Sequence, residues 1–240
     1  MRTSIAAAAA IAASAALSGC NQHENLGPMV SRGFQVGTFD QVEAAGPFDL
    51  TIHTGAAPSV HARGNQSLID NLEVDVQNGT LRIRPRSQHN FFHFEIYHGK
   101  ADVDITVPTL SAATLSGAGD VRIDKVQGNS FAGNMRGAGD LTIDSANVSS
   151  LKLSVAGSGS AGVKSGKAQS ADYGIAGAGD VDTSNMTTQD LKISIAGSGD
   201  VKAHATGTAD VSIMGSGDVT VTGGAKCSVN KSGSGDVHCS

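Results

Sequence analysis

Six aspartates recur in the second half of the sequence at nearly constant spacing. Each closes a four-residue unit, Gly-small-Gly-Asp, and successive units begin 18 or 20 residues apart. Carboxylates in such a series can accept hydrogen bonds from backbone N–H groups at chain corners, or they can bind Ca²⁺. Calcium-binding rolls repeat about every nine residues, which this chain does not, so we favour the first role. The aspartates are Asp120, Asp140, Asp180, Asp200, Asp218 and Asp236, and Ser160 fills the gap.

A formal match to the dinucleotide-binding fingerprint lies at residues 157–162, which read Gly-Ser-Gly-Ser-Ala-Gly. It coincides with the degenerate copy of the repeat, and no helical pattern follows that could hold a phosphate. The sequence has no His-Glu-x-x-His, Cys-x-x-Cys, Walker or nucleophile-elbow motif. We therefore expect no catalytic residue, no cofactor and no metal. The formal net charge of -5 also disfavours a nucleic-acid partner.

Histidines and aromatic residues concentrate between residues 88 and 98. The histidines could ligate a metal, but on a strand His89 and His93 would lie about 13 Å apart, too far to share one ion. We expect ordinary packing of this segment, with an exposed strip for a partner as the alternative. The residues are His89, Phe91, Phe92, His93, Phe94, Tyr97 and His98.

The N-terminus predicts export and a lipid anchor. Arg2 precedes an apolar run from Ile5 to Leu17, which is too short to span a membrane and fits a secretory signal. The run ends in Leu-Ser-Gly-Cys at residues 17–20, which looks like a bacterial lipobox. We expect residues 1–19 to be removed and Cys20 to be acylated, palmitate being one such chain. Asn21 after the cysteine suggests the outer membrane of a Gram-negative bacterium, on either its periplasmic or its surface side.

Two further cysteines lie near the C-terminus. Cys227 stands six residues before Gly233 and Cys239 six residues after it, so strand alternation turns both side chains inward. The exported context permits oxidation, and we predict a Cys227–Cys239 disulfide. Lys231 occupies an inward position that is apolar in the other copies, which indicates that this end departs from the repeat.

The residues around each unit alternate between apolar and polar, which is typical of strands with one buried face. Each copy therefore reads as strand, tight corner, strand and a looser second corner. Such a unit cannot bury its apolar face alone, but stacked copies can. We predict an all-β fold, a parallel β-solenoid with coils of 18–20 residues, and right-handed winding from the crossover rule.

Glycine is required at the tight corners because the first and third residues of each unit point inward where the chain bends. We expect these residues to stack in one column per position. They are Gly117, Gly119, Gly137, Gly139, Gly157, Gly159, Gly177, Gly179, Gly197, Gly199, Gly215, Gly217, Gly233 and Gly235.

The upstream residues 34–110 show alternation without an evident corner unit. They include an Asn78-Gly79 turn and a short apolar group, Leu68, Ile69 and Leu72, that could form a helical turn. We predict that they form extra β layers over the N-terminal end of the solenoid. The domain organisation is then a signal peptide (1–19), a polar tether (20–33) and one solenoid domain (34–240), with repeats from residue 111.

Several of these motifs resemble a known family. Residues 38–238 are similar to the putative auto-transporter adhesin, head GIN domain family in the phased Gly-Ala-Gly-Asp units and in three other places: Gly-Pro-Phe-Asp-Leu at 46–50, Asn-Gly-Thr-Leu at 78–81 and Val-Pro-Thr-Leu at 107–110. The resemblance implies a β-helical fold in an exported bacterial protein, often a lipoprotein. It implies no catalytic residues.

Together these features favour a non-catalytic, lipid-anchored envelope protein with an adhesin-like or scaffolding β-helix. The membrane would be contacted through the lipid, and the partner would be an envelope protein or a glycan. The alternatives are a β-helix that binds or cleaves polysaccharide and a periplasmic partner in envelope assembly. Against cleavage, the coils carry no outward aromatic column, because Phe131 and Tyr173 fall at inward positions.

Overall fold

The computed structural model describes residues 27–86 and 101–240, with 74% of the residues in β-strands and 2% in helix. The N-terminal elements are β1 (Met29–Phe34), β2 (Gln41–Ala45), β3 (Phe48–Thr54), β4 (Ser59–Asn65), α1 (Gln66–Asp70), β5 (Leu72–Gln77), β6 (Thr80–Pro85), β7 (Ala101–Val107) and β8 (Ala112–Gly117). The later strands are β9 (Val121–Gly137), β10 (Asp140–Gly157), β11 (Ser160–Val163), β12 (Gly166–Gly177), β13 (Val181–Gly197), β14 (Val201–Gly215), β15 (Val219–Thr222), β16 (Lys226–Gly233) and β17 (Val237–Cys239).

The later strands form a parallel β-solenoid of about 6 turns, which confirms the predicted fold class. Successive turns pair in register, so residues at equivalent repeat positions stack directly. One inward column runs Leu115, Met135, Val155, Ile175, Ile195 and Ile213. The register shifts in the β13–β14 ladder between Thr183 and Asp190, where a 20-residue coil meets an 18-residue coil.

The stacked inward columns form one hydrophobic core along the solenoid. Nearly every residue at a predicted inward position before the last turn is buried, including Phe131 and Tyr173. Each buried Val, Ile or Leu side chain contributes about 1.5–3 kcal/mol relative to exposure in water. The core therefore accounts for the stacking of units that could not fold singly.

The upstream strands cover the N-terminal end of the solenoid, as predicted. Parallel ladders join β2 to β8 and β3 to β9, so these strands form the first turn. Antiparallel strands extend the layers beyond that turn, where β4 pairs with β7 and β5 with β6. Helix α1 buries Leu68 and Ile69 at this end, whereas Leu72, which we grouped with them, begins β5.

The turn between β5 and β6 is the predicted Asn78-Gly79 hairpin. Both residues have positive φ, 51° and 78°, and Gln77 pairs with Thr80 across the turn. These angles match the two-residue turn whose twist suits antiparallel strands.

Strand β1 begins at Met29, so residues 29–33, which we predicted to be the end of a polar tether at 20–33, are strand instead. The strand pairs antiparallel with β4 along its full length, and Val30 and Phe34 pack against the core. Because the residues between Val30 and Phe34 are polar, the apolar–polar alternation is weak there, and the strand was not predicted. Residues 1–26, with the signal peptide and Cys20, and the aromatic segment at 88–98 lie outside the described residues. Within the described ranges, no helix has the length and apolar character to cross a membrane.

Candidate functional site

The glycine corners stack along one edge of the solenoid. The first glycine of all seven units has φ between 131° and 149°, a region that L side chains rarely adopt. The third glycine cannot be replaced because the backbones of successive turns lie close together there. A Cβ on Gly139, for example, would overlap the carbonyl oxygen of Gly119 in the turn before. A glycine is therefore needed at the first position both for its conformation and for the close approach of backbones, since a Cβ on Gly137 would lie 2.0 Å from the Gly117 carbonyl oxygen. At the third position the close approach alone requires it.

A degenerate corner unit that we did not predict precedes the seven. It reads Gly-Pro-Phe-Asp at residues 46–49; Gly117 stacks on Gly46, and Gly119 on Phe48. Gly46 has φ 134°, like the first glycines of the later units. Our prediction that residues 34–110 have no corner unit is therefore wrong. Like the later units, this one has a glycine three residues before an aspartate. It was not predicted because Phe48 stands at the third position and because the strands that cover the N-terminal end separate it from the next unit.

The aspartates form a hydrogen-bonded ladder along the same edge. In each pair, the backbone N–H of one turn donates to Oδ1 of the aspartate in the turn before, at 2.7–3.0 Å. The donor–acceptor pairs are Asp120–Asp49, Asp140–Asp120, Ser160–Asp140, Asp200–Asp180, Asp218–Asp200 and Asp236–Asp218. Each carboxylate thus satisfies a corner amide that has no strand partner.

The hydrogen bonds of the ladder limit the oxygen atoms that the aspartates could offer to Ca²⁺. One oxygen of each accepting carboxylate is already engaged by an amide. Across residues 27–86 and 101–240, no three His, Cys, Asp or Glu side chains are placed to share one metal ion. The arrangement of the aspartates is that of a structural ladder.

The ladder is interrupted at Ser160, and the interruption leaves a hollow on the solenoid surface. Both outward residues of this turn are small, Ser160 and Gly162, whereas the turns on either side carry larger polar groups. The hollow has a volume of about 340 Å³. Its polar lining is Asp140, Thr142, Ser160, Asp180, Asp182, Asp200 and Lys202.

An ion-paired group lies beside this hollow. Asp144 binds the Arg122 guanidinium at 2.7 Å and the Lys164 ammonium at 3.0 Å. All three side chains are at least partly exposed to water, so each pair contributes little to stability. Lys202, which lines the hollow, has no such ion pair among the described residues.

A flat surface with few charges lies on the other side of the corners. We call it the small-residue face, and it consists of Ser154, Ala156, Gly174, Ala176, Ser194, Ala196, Ser212 and Met214, which line one broad depression. Ala156, Ala176, Ala196 and Met214 stack in one outward column, and Met214 is 69% exposed. The column presents repeated methyl groups at strand spacing, about 4.8 Å.

Among the described residues, one titratable side chain of the core has an altered acidity. Burial raises the pKa of the Tyr173 hydroxyl from 10.0 to about 12, and the neighbouring Thr183 and Thr188 hydroxyls oppose that rise only in part. Both threonines are buried with it. A neutral phenol with no exposure to solvent has no role in surface chemistry.

At the C-terminal end, Cys227 and Cys239 are joined by a disulfide that connects β16 to β17. Their Cα atoms are 6.6 Å apart, and both side chains pack against the core. Lys231 keeps the predicted inward column position next to Ile213 but is exposed there, with its ammonium 3.5 Å from Oδ1 of Asp236.

A known protein family and several solved structures are similar to this chain. A family model described as "Putative auto-transporter adhesin, head GIN domain" matches residues 38–225. No curated protein matches the sequence. Among solved structures, a putative adhesin from Bacteroides fragilis is similar over 89% of this chain and 97% of its own, with 22% identity and a TM-score of 0.78.

Two structures from Parabacteroides distasonis are also similar, each over 89% of this chain. One is a putative adhesin with 21% identity over 98% of its own length, and its TM-score is 0.70. The other is described as a putative lipid binding protein, with 23% identity over 97% of its length and a TM-score of 0.69. At these identities the likeness establishes a shared fold.

Proposed function

This chain belongs to the putative auto-transporter adhesin, head GIN domain family, and from that membership we propose a non-catalytic, adhesin-like or scaffolding role at the cell envelope. The solenoid itself provides the contact surface. The observation that carries the proposal is the small-residue face, which offers a flat array of methyl and hydroxyl groups to a partner. Arrays of this kind suit many weak contacts spread over several turns, because small side chains lose little conformational entropy on binding.

We further propose that the protein is anchored to the outer membrane by lipid on Cys20. Support comes from the lipobox-like sequence at residues 17–20. The chain from residue 21 to residue 28 would then join the anchor to β1. One acyl chain binds a membrane only reversibly, so a stable anchor needs more than one.

The anchor and the location can be tested together in cells. Metabolic labelling with a lipid probe is expected to mark the wild-type chain and not the Cys20→Ala variant. Protease added to intact cells then separates the two sides of the membrane. Cleavage without lysis supports a surface adhesin, and full protection until lysis favours a periplasmic role. A Cys20→Ala variant that still labels contradicts the anchor.

A second candidate function is polysaccharide binding, and the hollow at Ser160 favours it. The hollow has a volume of about 340 Å³, at the lower end of the range for ligand pockets, and its carboxylate and hydroxyl groups could form hydrogen bonds with sugar hydroxyls. Ser160→Asp would narrow the hollow with the residue that the repeat uses elsewhere. On a glycan array, binding that is lost in Ser160→Asp supports this candidate, and unchanged or absent binding contradicts it.

A further inference from the structure

A column of alternating charges borders the small-residue face. Its members occupy the same outward position in four successive turns, two residues before the serine or glycine of that face, and they pair in register. Along the solenoid the column reads positive, negative, positive, negative, with about 4.8 Å between neighbouring strands. We call it the charged column, and it consists of Lys152, Asp172, Lys192 and Asp210.

The side chains of the charged column are open to solvent. Lys152, Lys192 and Asp210 are exposed, and Asp172 is partly exposed. Within residues 27–86 and 101–240, no ion pair engages any of these four side chains. The column therefore presents an ordered set of charges to another molecule that approaches the small-residue face.

The order of these charges is complementary to its own reverse. If two copies met face to face with their solenoid axes antiparallel, Lys152 of each copy would lie opposite Asp210 of the other. Asp172 of each would lie opposite Lys192, so all four facing pairs would be of opposite sign. A shift by one turn would instead bring like charges together. The required two-fold axis runs parallel to the strands, between the turns of Asp172 and Lys192.

The small-residue face obeys the same axis. Met214, its largest side chain, would lie opposite Ala156 of the other copy, and Ala176 would lie opposite Ala196. Met214 is 69% exposed in the single chain, so covering it removes apolar surface from water. The alanines leave the space that this long side chain needs, and they allow the two sheets to approach closely.

The serine and glycine column of the face is also matched at its two ends. One turn before Ser154 stands Asn134, and one turn after Ser212 stands Asn230. The same axis would bring Asn134 of each copy opposite Asn230 of the other. An asparagine amide both donates and accepts hydrogen bonds, so these two side chains can bond to each other. Three neighbouring columns therefore agree on one symmetry axis.

We propose that the partner of the small-residue face is a second copy of this chain, bound face to face with antiparallel solenoid axes. The proposal rests on the contact role proposed above and names the partner for it. Three columns over six turns bury roughly 600 Å² per copy at strand and residue spacing. This area lies at the lower limit for specific interfaces, so the dimer is weak and depends on concentration.

The test exchanges charges within the column and leaves the composition of the chain unchanged. Lys152→Asp with Asp210→Lys keeps every facing pair between copies opposite in sign, but it makes two neighbouring pairs within the column alike. The matched control, Lys152→Asp with Asp172→Lys, makes every facing pair alike and only one neighbouring pair alike. Contacts between copies and contacts within one chain therefore predict opposite orders for the two variants.

Both full-length variants and the wild type are compared at low salt by light scattering over a concentration series, with circular dichroism to verify folding. The same two arrangements are available in other turns if a variant does not fold. Lys192→Asp with Asp172→Lys repeats the first exchange, and Lys192→Asp with Asp210→Lys repeats the control.

We expect the wild type and the first exchange to dimerise reversibly with dissociation constants within about tenfold of each other. The control should dimerise at least about tenfold more weakly than the wild type, because four facing pairs repel. Added salt should weaken the wild-type dimer, since its facing charges are near the surface. A control that dimerises as tightly as the wild type would overturn the proposal, as would a first exchange that dimerises more weakly than the control.

Self-association is measured without envelopes, so its failure can be distinguished from failure of the contact role. A wild type that stays monomeric, yet binds isolated envelopes through a face that Ala176→Glu disables, overturns the second copy as the partner and leaves the contact role in place. A wild type that dimerises equally well as Ala176→Glu overturns this use of the face.

Discussion

The backbone N–H of Asp218 donates a hydrogen bond to Oδ1 of Asp200, at 2.8 Å and one full turn away. A few residues earlier in the same corner, the N–H of Ser216 donates to the carbonyl oxygen of Gly197 at 2.9 Å. Side chain and backbone thus join the same two turns at the same edge. The repeated aspartate is explained by this link, because each corner exposes an amide that the strand ladders leave unpaired.

Removal of one carboxylate from the ladder should lower stability modestly. Asp200→Ala leaves the Asp218 amide without its acceptor, and we expect a loss of about 0.5–1.5 kcal/mol in the free energy of unfolding, because water can partly replace the bond at this exposed edge. Urea denaturation followed by circular dichroism measures it.

Asp200→Asn is the matched control, since its amide oxygen can still accept the same hydrogen bond. It should retain most of the wild-type stability, and Ca²⁺ should not raise the melting temperature of the wild type above that of a chelated sample. Equal losses for Asn and Ala, together with a large Ca²⁺ effect, would contradict the structural role of the ladder.

A methyl group at a third-position glycine should be much more damaging. Gly139→Ala places a Cβ against the Gly119 carbonyl oxygen, and the stacked backbones cannot move apart without loss of ladder hydrogen bonds. We expect a loss of about 3 kcal/mol or more, or failure to fold. Ala138→Ser, at the exposed position between the two glycines, should change stability by less than about 0.5 kcal/mol. A well-folded Gly139→Ala of wild-type stability would refute the stacked corner.

The strict spacing of the glycine units was enough to predict the solenoid, the inward columns and the stacking edge. The upstream corner at Gly46 was missed because 71 residues separate Asp49 from Asp120, so no period connects them. Val229 and Lys231 follow the alternation, yet both are exposed. The small-residue face and the hollow depend on which turns become neighbours in space, and a single sequence shows this only after the register is known.

Loss of the disulfide should destabilise the C-terminal end first. The bridge closes a loop with a sequence separation of 12 residues, and Cys227→Ser with Cys239→Ser should lower the free energy of unfolding by about 2–3 kcal/mol. Hydrogen exchange should quicken in β16 and β17 more than in β9 and β10. In the unreduced, unfolded wild type, thiol titration should find neither Cys227 nor Cys239 free. Two free thiols in that sample would contradict the bridge.

Alkaline pH should destabilise the protein through Tyr173. Because the pKa of its hydroxyl is raised from 10.0 to about 12 in the folded state, the unfolded chain loses this proton first. Its contribution is therefore constant below pH 10 and is lost as the pH rises from 10 to 12. In Tyr97→Phe, which leaves Tyr173 as the only tyrosine, tyrosinate absorbance at 295 nm should appear near pH 12 and with unfolding. Absorbance that rises near pH 10 in folded protein would contradict this burial.

The contact role of the small-residue face can be tested directly by measuring binding of purified chain to isolated bacterial envelopes. Ala176→Glu puts a charge at the centre of the face, and Thr187→Glu puts the same charge at an exposed position on another side of the solenoid. We expect saturable binding by the wild type and Thr187→Glu, and at least about tenfold weaker binding by Ala176→Glu, because an unpaired carboxylate would be buried at the contact. Equal binding by all three proteins would contradict the assignment of this face.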